Sequence, residues 1–365
     1  MINKKYLIDP EHLETYLQHF PNYEQEMKQD LISRNYWQGK KVFITGITGF
    51  VGGHMVEKLL AIGCEVCGLI RRHSVPDYPN LAKTLNEIQL IEGNLTDLSS
   101  IIAAFNIAKP NVVFHLGAQS FVPTSFRAPI ETYDTNIIGT ANVLEACKQT
   151  KANIEAVQIA CSSEEYGLVH PDEVPIKESN PLRPQSPYAA SKVASEMIAH
   201  IHHKAYGTPV VLTRTFNHEG PRRGLQFVTS VVARQIARAK LKKTNTVTIG
   251  NPNPIRDFSD VRDIVQGYML AVEKAKRGEP YNLGHGFGIT IENLIKVAAK
   301  ACEVNVKIEI DKSRYRPAEV DILLCDFSKA KKELGFRPRI PLTKSMQDNV
   351  EYFIKNPHLL DIERH

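Results

Sequence analysis

The chain has 365 residues, 42% of them hydrophobic, with 45 Lys and Arg against 40 Asp and Glu (net charge +5) and six cysteines. That length and apolar content can bury a large core, which excludes whole-chain disorder and a disulfide-stapled small fold. The small positive surplus suits a site for an anionic small molecule, and no nucleic-acid surface is expected, because a polyanion would need clustered charge.

Residues 1–38 read as an N-terminal extension. Leu13, Leu17 and Phe20 recur at helical spacing between the breakers Pro10 and Pro21. This predicts a helix packed on its own domain or on a neighbouring subunit, with a partner-recruiting arm as the alternative. From residue 39 the pattern alternates: strand at 41–45, glycine turn, helix at 52–62, then strands at 65–70, 89–92 and 111–116. A helix over 132–150, a strand at 154–161, a helix over 188–206 and a strand at 210–214 follow. Strands alternating with helices of this length predict an α/β fold, a doubly wound parallel sheet of Rossmann type, over residues 39–216. Residues 217–365 read as a smaller C-terminal substrate lobe, with the helix 261–274 returning to the first domain. No run approaches the roughly 18 apolar residues of a membrane span, and the first residues lack the apolar stretch of a signal peptide. A soluble, cytoplasmic protein with no membrane partner is expected.

The turn after the first strand reads Gly46-Ile-Thr-Gly49-Phe-Val-Gly52. A glycine triplet between strand and helix permits a tight turn, close approach of backbone to a pyrophosphate, and close helix–strand packing; the helix N-terminus adds amides and a positive dipole end. The second strand ends in Arg71-Arg72-His73-Ser74 rather than in a carboxylate. Two guanidiniums and a hydroxyl suit a ribose 2′-phosphate, so the cofactor expected is NADP. Asn94 and Leu95, after the third strand, are placed near the adenine.

Tyr188 and Lys192 form a YxxxK pair on one helix face. A neighbouring ammonium favours phenolate and lowers the Tyr pKa toward that of a general base. Ser162 and Glu164 stand at the end of the preceding strand, where a parallel sheet binds its ligands. No metal is expected: Cys64 and Cys67 have no second pair, and His200 and His203 have no carboxylate or thiol at ligand spacing. Cys161 reads as a small strand residue.

Together with His115-Leu-Gly-Ala-Gln-Ser, Asn136-Ile-Ile-Gly-Thr, Phe216-Asn-His-Glu-Gly-Pro-Arg-Arg-Gly, Arg256-Asp-Phe and Tyr315-Arg-Pro-Ala-Glu-Val-Asp, these motifs carry a resemblance from about residue 40 to 353. The sequence resembles the extended short-chain dehydrogenase/reductase family, and within it the GDP-mannose 4,6-dehydratases and GDP-4-keto-6-deoxy-mannose reductases. The resemblance implies that Tyr188 takes the sugar 4-hydroxyl proton, Lys192 holds the nicotinamide ribose, Ser162 binds O4, and Glu164 removes the C5 proton and assists loss of the C6 hydroxyl. It further implies that Gly46, Thr48, Gly49, Phe50, Val51, Gly52, Leu116 and Ala118 hold the cofactor. Ser120, Asn217, Arg222, Arg256, Arg316 and Glu319 would hold the nucleotide sugar, with a GDP-hexose favoured. A homodimer or homotetramer is implied as well. A 4-keto-sugar reductase or an epimerase on the same scaffold, and a non-catalytic NADP-binding protein, are the alternatives.

Overall fold

In the computed structural model, which describes residues 3–72, 77–315 and 320–362, short helical turns over the N-terminal segment are followed by β1 (Lys41–Thr45), α1 (Phe50–Ala61), β2 (Glu65–Ile70) and β3 (Gln89–Glu92). There follow α2 (Leu98–Ala108), β4 (Val112–His115), α3 (Gly139–Gln149), β5 (Ala156–Ser162), α4 (Pro187–Tyr206) and β6 (Val210–Thr215). Strand β1 shows why this sheet is covered on both faces. Val42 and Ile44 point into one cluster with Met55 of α1, while Phe43 between them points into another with Phe105 of α2. A strand buried on both sides needs apolar residues at successive positions, as in Val-Phe-Ile here.

Beyond β6 come β7 (Asn217–Glu219), α5 (Val228–Lys240), β8 (Thr246–Ile249), β9 (Ile255–Asp260), α6 (Val261–Lys274) and β10 (Pro280–Leu283). The chain then forms β11 (Gly288–Thr290), α7 (Ile291–Ala301), β12 (Lys307–Ile310), β13 (Ile322–Leu323) and α8 (Leu342–Lys355). The main sheet has seven strands in the order β10-β6-β5-β4-β1-β2-β3, with every pairing parallel. The order reverses between β1 and β4, which opens a crevice at the strand C-termini. Helix α6 lies on this sheet, its Ile264, Val265 and Met269 sharing a core with β1 and α1. A second sheet sets β9 between β11 and β13, with β7 also paired to β9.

One predicted helix is interrupted. Residues 132–150 contain a π-helical turn at Asp134–Ile138 before α3. The carbonyl of Asn136 accepts from the hydroxyls of Thr140 (2.6 Å) and Ser195 (2.8 Å), and such competing side-chain donors widen a helix locally.

The N-terminal segment lies on its own chain. Ile8, Leu13, Tyr16 and Phe20 join the core of α5, α7 and α8, whereas Ile32 and Trp37 join the main-sheet core. Trp37 Nε1 donates to Glu273 Oε1 of α6 at 2.6 Å, and the Ser33 amide donates to the same oxygen at 2.9 Å. Among the described residues no helix is long and apolar enough to cross a membrane.

Candidate active site

The crevice at the β1/β4 switch point is a cleft of about 1000 Å³. One wall is the glycine turn. Gly46 has φ +72°, and a Cβ there would meet the Gly117 backbone at 2.8 Å; a Cβ on Gly52 would lie 2.5 Å from the Gly46 and Ile47 carbonyls. Only glycine leaves the first turn of α1 this close to β1, with its free amides facing the cleft. Thr48, Gly49, Phe50 and Val51 line the same wall, and Asn94, Leu95, Leu116 and Ala118 the neighbouring one. Behind them, a hydrogen-bonded chain joins β1, β4 and α3. The Thr140 hydroxyl is donated to Asn136, so His115 Nε2–H donates to Thr140 at 3.0 Å and Nδ1 accepts from Thr45 at 2.7 Å. Burial pushes the His115 pKa down to about 3, so the ring is neutral, as that pattern requires.

Arg71 lines the cleft at the end of β2. Arg72, exposed like Arg71, lies outside the lining. His73 and Ser74 lie outside the described residues, as do Arg316 and Glu319.

The opposite wall carries the expected chemistry. Ser162, Glu164, Tyr188 and Lys192 all line the cleft. Ser186 caps α4 by accepting the Ala189 amide at 3.1 Å, which sets Tyr188 in the first turn and Lys192 one turn on. The Ser162 hydroxyl lies beside the Tyr188 phenol, and Ser162 Oγ accepts the Glu164 amide at 3.2 Å. Lys192 Nζ donates to the Ala160 carbonyl at 2.8 Å. The expected depression of the Tyr188 pKa by Lys192 is corrected here. Burial pushes the phenol up, the neighbouring Ser162 hydroxyl opposes this, and the nearby Glu164 adds to the rise. Burial likewise pulls Lys192 down.

Among the residues expected on the substrate, Ser120 and Asn217 line the cleft. Arg256, on β9, is buried, donates to its neighbour's Ile255 carbonyl at 3.0 Å, and lies outside the cleft lining. Arg222 lines the cleft but is engaged with α1: Nη1 and Nη2 fork Glu57 at 2.7 and 2.9 Å, and Nη2 also donates to His54 Nδ1 at 3.0 Å. A further bond, from Nη1 to the Asn80 carbonyl at 3.1 Å, places it beside the glycine turn, since Asn80 in turn donates to Thr48 O.

The sequence reading chose one member of this arginine pair and passed over the other. Arg223 lines the cleft, its guanidinium 3.8 Å over the Phe227 ring and 5.1 Å over Phe50. Its Nε is 3.7 Å from Glu219, a carboxyl that burial pushes up to about 7. His218, also missed, stacks on Phe50 with ring centroids 6.1 Å apart. The available signal was the tandem Pro-Arg-Arg-Gly, in which neighbouring side chains must diverge. His200 and His203 bond to the carbonyls of Gly278 (3.1 Å) and Thr208 (2.9 Å).

Residues 43–349 match the sequence profile of the family described as GDP-mannose 4,6 dehydratase. GDP-mannose 4,6 dehydratase 2 of Arabidopsis thaliana is 36% identical over 328 residues, 86% of each chain. Among solved structures, RMD from Pseudomonas aeruginosa complexed with NADPH superposes with a TM-score of 0.75 at 28% identity, covering 87% of this chain and all of that one (100%). DesIV, a dTDP-glucose 4,6-dehydratase from Streptomyces venezuelae with NAD bound, gives 0.77 at 25% identity, covering 88% and 98%.

Proposed function

Because the chain belongs to the GDP-mannose 4,6-dehydratase family of extended short-chain dehydrogenases/reductases, and is thereby a nucleotide-sugar 4,6-dehydratase, we propose that its substrate is a GDP-hexose of manno configuration and its cofactor NADP. The observation that carries the reading is the convergence of Ser162, Glu164, Tyr188 and Lys192 on one wall of a cleft whose facing wall is the glycine turn. A nicotinamide dinucleotide fits that wall, since the missing Cβ atoms of Gly46 and Gly52 let the turn close tightly on β1 and the N-terminus of α1 lines the cleft. Held there by the glycine turn and Lys192, it would supply the acceptor for the C4 hydride and its return to C6.

The chain's own residues hold and move the protons. Tyr188 Oη receives the proton of the sugar 4-hydroxyl, with Ser162 oriented on the same oxygen. The positive end of α4, in whose first turn Tyr188 stands, favours the phenolate that burial opposes. Once C4 is a ketone, the C5 proton is acidic, and the Glu164 carboxylate on the same wall takes it and passes it to the departing C6 hydroxyl. Lys192 holds the cofactor ribose, and Asn217 and Ser120 hold the sugar nucleotide. Arg71 at the cleft and an NADPH-bound structural relative support the 2′-phosphate reading. Ile130, Ile138, Met197 and Ile201 are large apolar side chains exposed on two adjoining helical stretches, which supports a homo-oligomer. The six cysteines are free, as a reducing cytoplasm allows.

The test is incubation of the purified protein with GDP-, UDP-, CDP- and dTDP-hexoses without added NADPH, followed by mass spectrometry. Loss of one water from GDP-mannose alone is expected. Reduction of a 4-keto sugar by NADPH with no dehydration of any donor would overturn the reading.

A further inference from the structure

Immediately behind the catalytic turn lies a charge cluster that the proposed mechanism does not use. Glu165, fully buried, directs Oε1 at the Ser162 amide, from which it accepts at 2.7 Å. This bond and the Ser162 cap close the turn on which Glu164 stands. Glu165 Oε2 has no donor among its neighbours. It faces Glu196 of α4, and these two carboxyl groups and the Cys161 thiol have ligand atoms within 4.8 Å of one another.

The spacing resembles a metal site, but a guanidinium occupies the cluster. Arg214 of β6 forks Glu196, with Nε to Oε2 at 2.8 Å and Nη2 to Oε1 at 2.6 Å. Its Nη1 is turned away to Tyr166 Oη and the Glu178 carbonyl, both at 3.0 Å. To Glu165 Arg214 offers only an approach of 3.8 Å from Nε. The other nearby cation, Lys192, donates to the Ala160 carbonyl. Two carboxyl groups buried together with one guanidinium forked on one of them leave the second with only a 3.8 Å approach to a counter-charge and no hydrogen bond to it. Sequestered carboxyls in that position retain a proton.

We propose that Glu165 is a positioning residue for the dehydration: a neutral carboxylic acid that donates its proton to Glu196, accepts the Ser162 amide, and so leaves Glu164 the only anion on the turn. The inference rests on the reading of Glu164 as the base. Burial and the adjacent Glu196 both push the Glu165 carboxyl up, while the Arg214 fork, outweighing burial, holds Glu196 below the usual carboxylate range. The groups facing Glu165 are Cys161 on β5, Lys192 and Glu196 on α4, Arg214 on β6, and Tyr188 across the turn. Were Glu165 ionised, a second negative charge behind the turn would hold Tyr188 more firmly in its protonated form and so withhold the phenolate that accepts the 4-hydroxyl proton. The geometry therefore separates two consecutive glutamates into a charged one facing the cleft and an uncharged one facing the core.

Glu165→Gln replaces the neutral acid by an isostere that still accepts from Ser162 and donates to Glu196. The full-length variant is expected to keep kcat within about threefold, with an unchanged pH–rate profile. Glu165→Leu leaves the Ser162 amide unpaired and is expected to lower kcat about ten- to a hundredfold at unchanged KM. The infrared difference spectrum between wild type and Glu165→Gln should show one protonated-carboxyl stretch that persists above pH 8. Absence of that band, or an acid limb displaced in Glu165→Gln, would show an ionised Glu165 and overturn the proposal. Should the Leu variant not fold, the Gln profile and the spectrum decide. Normal dehydration by Glu164→Gln would instead refute the base assignment while leaving the Glu165 band in place, so the two failures are distinguishable.

Discussion

At the scale of single residues, the cleft separates functions that look alike in the sequence. Arg71 and Arg72 are consecutive, yet only Arg71 lines the cleft. Arg71→Ala is therefore expected to weaken NADP binding about ten- to a hundredfold, the loss of a charged hydrogen bond, with little effect on NAD. Arg72→Ala should change neither by more than about twofold, the ordinary effect of an exposed substitution. Titration of both cofactors checks this, and equal losses for NADP and NAD in Arg71→Ala would refute the phosphate assignment. Tyr188→Phe removes the proton acceptor and is expected to lower C4 oxidation about 10²–10⁴-fold. Glu164→Gln should still oxidise C4, seen as enzyme-bound NADPH absorbance, but release no water. Consecutive arginines and consecutive glutamates expose one limit of reading a sequence: a motif names a pair, and only the fold decides which member faces the ligand.

At the scale of elements, the glycine turn and the YxxxK helix were legible because each depends on local spacing. Gly52 is fixed by the approach of two carbonyls. Gly52→Ala is expected to weaken cofactor binding while leaving most of the fold, because the added methyl pushes the start of α1 off the turn. A calorimetric titration with a thermal melt would show it, and unaltered affinity would contradict the close-packing role. The π turn at Asp134–Ile138 was not legible. Its cause is the meeting of Asn136 with Thr140 on the same helix and with Ser195 far along the chain. The periodicity of residues 132–150 contains nothing of Ser195. The Tyr188 electrostatics were misjudged for the same reason: spacing reveals the ammonium on the helix but not the burial that outweighs it.

At the scale of the whole molecule, two cores are joined by the segment before β1. Tyr16 anchors its first part within the C-terminal core, with Oη accepting the Leu342 amide at 2.8 Å and bonding to His285 Nε2 at 2.7 Å. Tyr16→Phe is expected to destabilise the protein by about 1–3 kcal/mol, because a buried amide and a buried imidazole lose their partner. Denaturant unfolding measures this, and an unchanged midpoint would show that the pair contributes nothing. Helical spacing located apolar residues here but could not say what they would meet. The positive surplus noted at the outset is distributed in the same unforeseen way. Arg222 and Arg214 serve internal carboxylates, and Arg71 and Arg223 face the cleft.

The placement of that first segment sets an order of events during synthesis. The partners of Tyr16 lie 269 and 326 residues further on, and the carbonyl of Glu26 waits for Arg339, 313 residues away. The segment around Tyr16 leaves the ribosome well before its partners and therefore cannot be seated until residues 339–342 have emerged. Contacts of such sequence separation close late and slowly. A nascent chain halted before residue 339 would hold a formed dinucleotide domain and a loose beginning. Protection of Tyr16 from proteolysis would thus mark the completion of the molecule, not its start.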